Sequence, residues 1–526
     1  MRDEHANISR RVGVVGFFTF LSRIAGLARD SVMAWAFGAT KIADAFYVAF
    51  RIPNLLRRFV AEGALTVAFV PVYTAYLKKT RRDALEAASV VFTYLSLFLT
   101  LLVAAGIIFA PLIVKLIAYG FASDSQKFEM TVYLTRLMFP YIMLISLVAL
   151  AMGILNSLKK FAAPAASPIF LNLAIIFGAV ILSKLFDFPA TGLALGVLIG
   201  GVLQLSLQIP SLAKEGMIPR INFNWRHKAL KDVLLLMIPS AFGAAVYQIN
   251  VLVVTLLASF LPEGSVSYLW YADRVSEFPL GIFAISVATA ALPTLSDNVA
   301  EKDTQSFKET LNFSLRLAFL IAIPAMVGLF LLSGISINVL FQRGEFTAAT
   351  SAATASALAI FALKIPFVSG VRNLVPGFFA LRDAKTPVYV AAVTVVINAV
   401  FALMLMGRFL HLGLAAALVI SSFFNFVILL YLMRRKIGLL GYKKLILSIL
   451  KTSLASAMMG ASIVLVERIL GDWNLTSLLM KIVRLLLMML AGTAVFIVIT
   501  RIINRDDYMA LIQMVKRRRN SKPVSS

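Results

Sequence analysis

Residues 22–30 read SRIAGLARD, and residues 43–73 read ADAFYVAFRIPNLLRRFVAEGALTVAFVPVY. Both stretches are apolar enough to enter a bilayer, yet they carry Arg23, Arg29, Asp30, Asp44, Arg51, Arg57, Arg58 and Glu62. A charge at bilayer depth costs roughly 2.5–3.5 kcal/mol on insertion scales, so a chain that keeps several of them turns them toward a wet, protein-lined cavity. Five arginines among few carboxylates make that cavity a receptor for an anion. The rest of the chain has to supply its walls and a means of opening it.

The chain has 526 residues, 60% of them hydrophobic and 14% charged, with mean hydropathy +0.90. A soluble domain is nearer 25% charged. Apolar runs long enough to cross about 30 Å of hydrocarbon recur along the whole length, which defines an all-α polytopic membrane protein. No cleavable signal peptide is expected, because the first span starts near Val12 without a small-residue cleavage pattern. Cysteine is absent, which excludes disulfides and thiol chemistry. His5, His227 and His411 are far apart and do not make a metal site. The net charge of +25 is spread over short loops instead of one face, so nucleic acid is not the partner.

Fourteen spans are expected, near 12–37, 42–77, 86–118, 128–157, 161–184, 188–213, 230–260, 265–296, 309–333, 346–380, 386–407, 411–433, 445–468 and 477–503. Basic clusters such as Lys78-Lys79, Lys159-Lys160, Arg434-Arg435-Lys436 and the tail Lys516 to Arg519 follow alternate spans. The other loops hold one or two cations each, such as Lys41, Lys127, Lys184, Arg343 and Arg408. The alternation places both termini in the cytoplasm.

The chain also repeats at an offset of 223 residues: Phe37 to Ala49 aligns with Phe260 to Ala272, and Arg51 falls opposite Arg274. Pro140 answers to Pro366, allowing small gaps. Six spans per unit make two lobes of parallel topology, related by a pseudo-two-fold along the membrane normal. The expected division is 1–220 for the first lobe, 221–440 for the second, 441–507 for two extra C-terminal spans and 508–526 for a basic cytoplasmic tail. The second span of each lobe would face a central cleft, with Pro53, Pro279 and Pro366 as bends beside its charges.

Each charged constellation has two readings. Arg29-Asp30 is either a local ion pair near the end of the first span or an anion-capture pair with Arg23, Asp30 orienting the arginine. Arg57 and Arg58 either snorkel to an interface or face the cavity, and Glu62 would pair with a cation in one state only, as a gate. Asp273-Arg274-x-x-Glu277 has the spacing of a surface salt bridge, but it lies inside a span. Lys364 and Arg372 are further cationic wall candidates. Gly192, Gly196 and Gly200 form a small-xxx-small pattern for close helix packing. The basic tail fits anionic headgroups. No Walker loop or nucleophile elbow is present, which argues against ATP-driven transport by this chain.

These same residues carry a family likeness. SRIAGLARD at 22–30, the 43–73 stretch, YADRVSEFPLG at 271–281 and LVPGFFALRDAKTP at 374–387 closely resemble the MurJ (MviN) lipid II flippases of the multidrug/oligosaccharidyl-lipid/polysaccharide exporter superfamily. The resemblance covers essentially the whole chain. It implies two lobes around a cationic cavity, two C-terminal helices forming a lipid-facing groove, a bacterial inner-membrane location and a role in peptidoglycan synthesis, with no enzymatic activity. The implied substrate is lipid II, an undecaprenyl diphosphate bearing a disaccharide-pentapeptide. By motif, the essential arginines of the family correspond to Arg23, Arg29, Arg57 and Arg274, and its cavity aspartate to Asp44. Its gating glutamate corresponds to Glu62, with Arg372 as the basic partner. A sodium site known in some members has only Asp232 and Asp383 as candidate ligands here.

The expected mechanism is alternating access by a monomer, the diphosphate held by arginines and the prenyl tail left in lipid along the last two spans. No cofactor is expected, and sodium, protons or the membrane potential would drive the cycle. A flippase for another polyprenyl-linked glycan is one alternative. A cation-coupled drug exporter is another, although its cavity should be acidic. A polyprenyl-phosphate enzyme would need clustered acids for magnesium, and none appears in the sequence.

Overall fold

The computed structural model describes residues 2–57, 65–281, 285–471 and 477–520. All described elements are helical. They fall into two compact units: residues 1–267 with 343–346, and residues 268–342 with 347–526.

The first unit contains α1 (Arg2–Phe37), α2 (Lys41–Arg57), α3 (Thr66–Leu77), α4 (Arg81–Ile108), α5 (Ala110–Ile117), α6 (Ser125–Met138), α7 (Tyr141–Ser157), α8 (Ala162–Val180), α9 (Ala190–Lys214) and α10 (Lys228–Ser259). Polar residues in the connections start the helices. Thr80 accepts a hydrogen bond from Asp83 N, and Asp124 accepts one from Lys127 N, each satisfying an N-terminal amide that the helix cannot. Pro140 separates α6 from α7 within one apolar run of 33 residues, 125–157. The core joins Phe69, Tyr73, Leu99, Phe139, Ile142 and Ile154.

The glycine row on α9 lies against α8, as small residues at helix contacts do. A Cβ on Gly196 would stand 2.7 Å from the Ala174 carbonyl oxygen and 3.2 Å from Gly178 Cα. One on Gly192 would meet Ser183 N at 2.3 Å, and one on Gly200 would meet Leu171 Cδ1 at 2.7 Å. The two backbones are thus in direct contact, which fixes α8 rigidly within the unit.

The second unit holds most of α11 (Ser265–Pro279), then α12 (Ile285–Ala300), α13 (Thr304–Leu331), α14 (Ser333–Phe341), α15 (Ala348–Ala362), α16 (Ile365–Ala380), α17 (Lys385–Ile437), α18 (Tyr442–Leu470), α19 (Leu478–Ile503) and α20 (Arg505–Asn520). α11 ends at Pro279, and α15 meets α16 at a 43° bend just before Pro366. The core joins Leu311, Leu315, Phe319, Leu374, Phe378 and Met433. α17 runs for 53 residues but reverses at Leu410 (φ 51°), where Gly413 packs so closely on Leu405 that a Cβ would lie 2.5 Å from its carbonyl oxygen. It therefore covers two expected spans.

Among the described residues, eight helical segments are long and apolar enough to cross a bilayer, and the bent pair α15–α16 makes a ninth. The first, second, seventh and eighth expected spans fall on α1, α2–α3, α10 and α11–α12, outside that set. α19 exposes Leu479, Leu490 and Ile502, a face suited to hydrocarbon and not to water. The segment read as a basic tail continues α20 to Asn520. α20 is pinned at its first turn, where the buried Asp507 pairs with Arg316 at 2.8 Å and accepts a hydrogen bond from Ser448 Oγ at 2.5 Å.

Gly196→Val should lower the thermal unfolding midpoint of the detergent-solubilised protein by several degrees, since overpacking against backbone costs about 1–3 kcal/mol. Gly407→Ala, whose Cβ meets nothing within 4 Å, should leave the midpoint unchanged or raise it.

Candidate functional site

In the first unit the described candidate residues on α1 and α2 occupy three places. Arg29 lies on α1, partly buried, with Asp30 beside it. Its Nε and Nη2 donate to Asp30 Oδ1 at 3.0 and 2.7 Å, and its Nη1 donates to Asn172 Oδ1 at 3.0 Å. The local ion pair anticipated from sequence is present, and α8 supplies a partner that the sequence did not announce. Arg23, also on α1, is exposed.

Asp44 is closely engaged on both carboxylate oxygens. It sits in the first turn of α2 and is 1% exposed. Its Oδ2 accepts from Lys127 Nζ at 2.8 Å and from Gly264 N at 2.9 Å. Its Oδ1 accepts from Ser267 N at 3.0 Å and from Ser267 Oγ at 2.6 Å. Lys127 is buried too, its ammonium 4.1 Å from the centre of the Phe121 ring. Four donors on one carboxylate offset its removal from water. Asp44 thereby ties α2 to α6 and to the 264–267 segment. Lys127 reads as a loop cation in the sequence; its burial becomes visible only in three dimensions.

Further along α2, Arg51 Nη1 donates to Thr255 Oγ1 on α10, and Arg57, partly buried, closes the described part of the helix. Arg58 and the expected gate residue Glu62 lie outside the described residues.

In the second unit, α11 carries Asp273, Arg274 and Glu277, and cations at and beyond the α15–α16 bend meet both acids. Lys364 Nζ bonds Asp273 Oδ1 at 2.6 Å. Arg372 Nη2 lies 3.5 Å from Glu277 Oε2, and its Nη1 donates to the Leu280 carbonyl at 3.1 Å. Arg274 stacks on Trp270, its guanidinium 4.7 Å from the ring centre. Lys364 at the N-cap of α16 and Arg372 within α16 thus both meet α11.

The two sodium candidates are placed differently. Asp232 is a partly buried residue early in α10. Asp383 lies between α16 and α17 and accepts from Thr386 N at 3.0 Å, Thr386 Oγ1 at 2.5 Å and Lys436 Nζ at 2.6 Å. Partial burial pushes its carboxyl up, but Lys436 and Thr386 outweigh that and hold it down at about 2. Among the described residues, no group of three or more His, Asp or Glu side chains could hold a metal ion.

These helices define a polytopic helical membrane protein, and solved structures agree with that fold. An inward-facing multidrug resistance MATE family transporter of the MOP superfamily superposes with a TM-score of 0.66 at 16% identity, covering 81% of this chain and 98% of that one. A lipid II flippase MurJ in an inward closed conformation superposes with a TM-score of 0.78 at 29% identity, covering 94% and 99%. The family model described as lipid II flippase MurJ matches residues 33–484. The lipid II flippase MurJ of Burkholderia cenocepacia is 39% identical over 438 residues, covering 82% of this chain and 85% of the relative. The probable lipid II flippase MurJ of Vibrio cholerae is 38% identical over 428 residues, covering 79% and 81%. The chain belongs to the MurJ lipid II flippase family. It is a multi-pass protein of the bacterial inner membrane and a member of a family of transporters, not enzymes.

Asp44→Ala would leave Lys127 without its carboxylate partner in a site where its side chain is 7% exposed. Breaking one side of a buried pair costs about 3–5 kcal/mol, which thermal unfolding in detergent should report as a large drop in midpoint. The double variant D44L/K127M should be less destabilised than D44A.

Proposed function

We propose that this protein moves lipid II from the cytoplasmic to the periplasmic leaflet by alternating access. The substrate assignment is supported by membership in the MurJ family. The observation that carries the mechanism is the setting of Arg29, a guanidinium held on an apolar helix by one carboxylate and one amide. It keeps N–H groups for an anion, and a planar fork suits phosphate oxygens better than an ammonium does.

In this reading Arg23, Arg29, Arg57 and Arg274 grip the diphosphate, and Asp30 and Asp44 fix the frame around them. The acids of α11, Asp273 and Glu277, pair with Lys364 and Arg372. The head group would pass through a hydrated cavity while the prenyl tail stays in lipid along α18 and α19. Glu62 and Arg372 would form a gate that closes in one state. The protein would act as a monomer with both termini in the cytoplasm, its basic C-terminal end on anionic headgroups. Sodium through Asp232 or Asp383, protons or the membrane potential would drive the cycle.

The test is complementation of a strain depleted of its own flippase, with lipid II exposure at the outer leaflet measured in the same cells. Arg29→Ala and Arg274→Ala should each reach the membrane in normal amounts, fail to restore growth and leave lipid II inside. Normal growth and normal exposure with both variants would refute the arginine mechanism.

A further inference from the structure

The partner of Arg29 on α8 has no counterpart among the charged residues that define the cavity. Asn172 is 6% exposed, an amide in an otherwise apolar helix. Its Oδ1 accepts from Arg29 Nη1 at 3.0 Å, and its Nδ2 donates to the Ser22 carbonyl at 3.3 Å. Ser22 and Arg29 are seven residues apart, two helical turns, so they share one stripe of α1. Gly26 lies between them on that stripe, and a Cβ there would stand 3.8 Å from Asn172 Nδ2. That is ordinary contact distance, so the amide lies along α1 and spans the two turns.

The bonds have a directional logic. The Ser22 carbonyl can only accept and the guanidinium can only donate, so the amide must present nitrogen to the first and oxygen to the second. A hydroxyl is too short to reach both, and a carboxylate would put two acceptors on the same pair of partners. Asp30 already supplies one negative charge to the guanidinium through Nε and Nη2. With Asn172 on Nη1, three of the five N–H groups are engaged, and among the described residues no further hydrogen bond to Arg29 is seen. The guanidinium is therefore oriented from two sides but neutralised from only one. The rigid base for this is α8 itself, locked to α9 through Gly178, Gly192 and Gly196.

We propose that Asn172 is a positioning residue for substrate binding: it orients the Arg29 guanidinium toward the diphosphate while adding no negative charge beside it. This rests on the reading above, that Arg29 engages the diphosphate.

The experiment measures binding of purified full-length protein in nanodiscs to lipid II, alongside thermal unfolding, for N172L, N172D, N172D/D30N and R29A. N172L should weaken binding about tenfold, the scale of one hydrogen bond to a charged group. N172D keeps the shape and the acceptor but adds a second carboxylate, and should weaken it at least as much. N172D/D30N keeps an acceptor at 172 with a single carboxylate beside Arg29, and should return to within a few-fold of the parent. A purely packing role for Asn172 does not produce that recovery, because the two aspartate variants differ only at residue 30. Should N172L unfold, the isosteric N172D and its double variant still decide. Parent-level binding by N172D, or equal losses in N172D and N172D/D30N, would overturn the proposal provided R29A binds poorly. Parent-level binding by R29A would instead overturn the diphosphate role of Arg29 itself.

Discussion

An ion withdrawn from water into an apolar interior is tolerated only where the protein returns what the solvent supplied. Much of this structure can be read as answers to that constraint. Asp44 receives four donors, Asp507 is held by Arg316 and Ser448, and the buried Lys364 has Asp273. Each answer joins helices that would otherwise meet only through interchangeable aliphatic contacts. In lipid, where hydrophobic burial does little to choose between neighbours, such polar ties fix which helices pair and in what register. The charges that stabilise the frame and those that meet a ligand are thus subject to one rule, and they differ in how completely they are answered. Asp44 accepts four hydrogen bonds, whereas three bonds occupy only part of the donor set of Arg29.

The class of the protein was legible in the sequence because hydrocarbon thickness and the cost of charge act on every residue of a span. The local ion pair Arg29-Asp30 was legible because its members are adjacent. What stayed hidden was distant in the chain. Lys127 lies 83 residues from Asp44 and follows a capping aspartate, so it reads as an ordinary loop cation. Lys364 is 91 residues from Asp273. Asn172 carries no charge at all, and an isolated amide in an apolar run gives no signal until its neighbour is known.

The glycines of α9 show how a feature without chemistry of its own supports one that has it. Their missing side chains bring α8 against α9 backbone to backbone. That contact leaves α8 little freedom to rotate, and α8 carries the amide that meets Arg29. A guanidinium on a long, flexible stem is a poor recognition element unless its rotamers are restricted, because ordering it on binding costs entropy. Here the restriction is built in before any ligand arrives.

The reversal at Leu410 bears on how the folded chain can be reached. With Gly413 pressed on the backbone of Leu405, the two arms of α17 have no connecting loop between them. In the folded protein that tip offers a protease or an inserted tag almost no free chain to grasp.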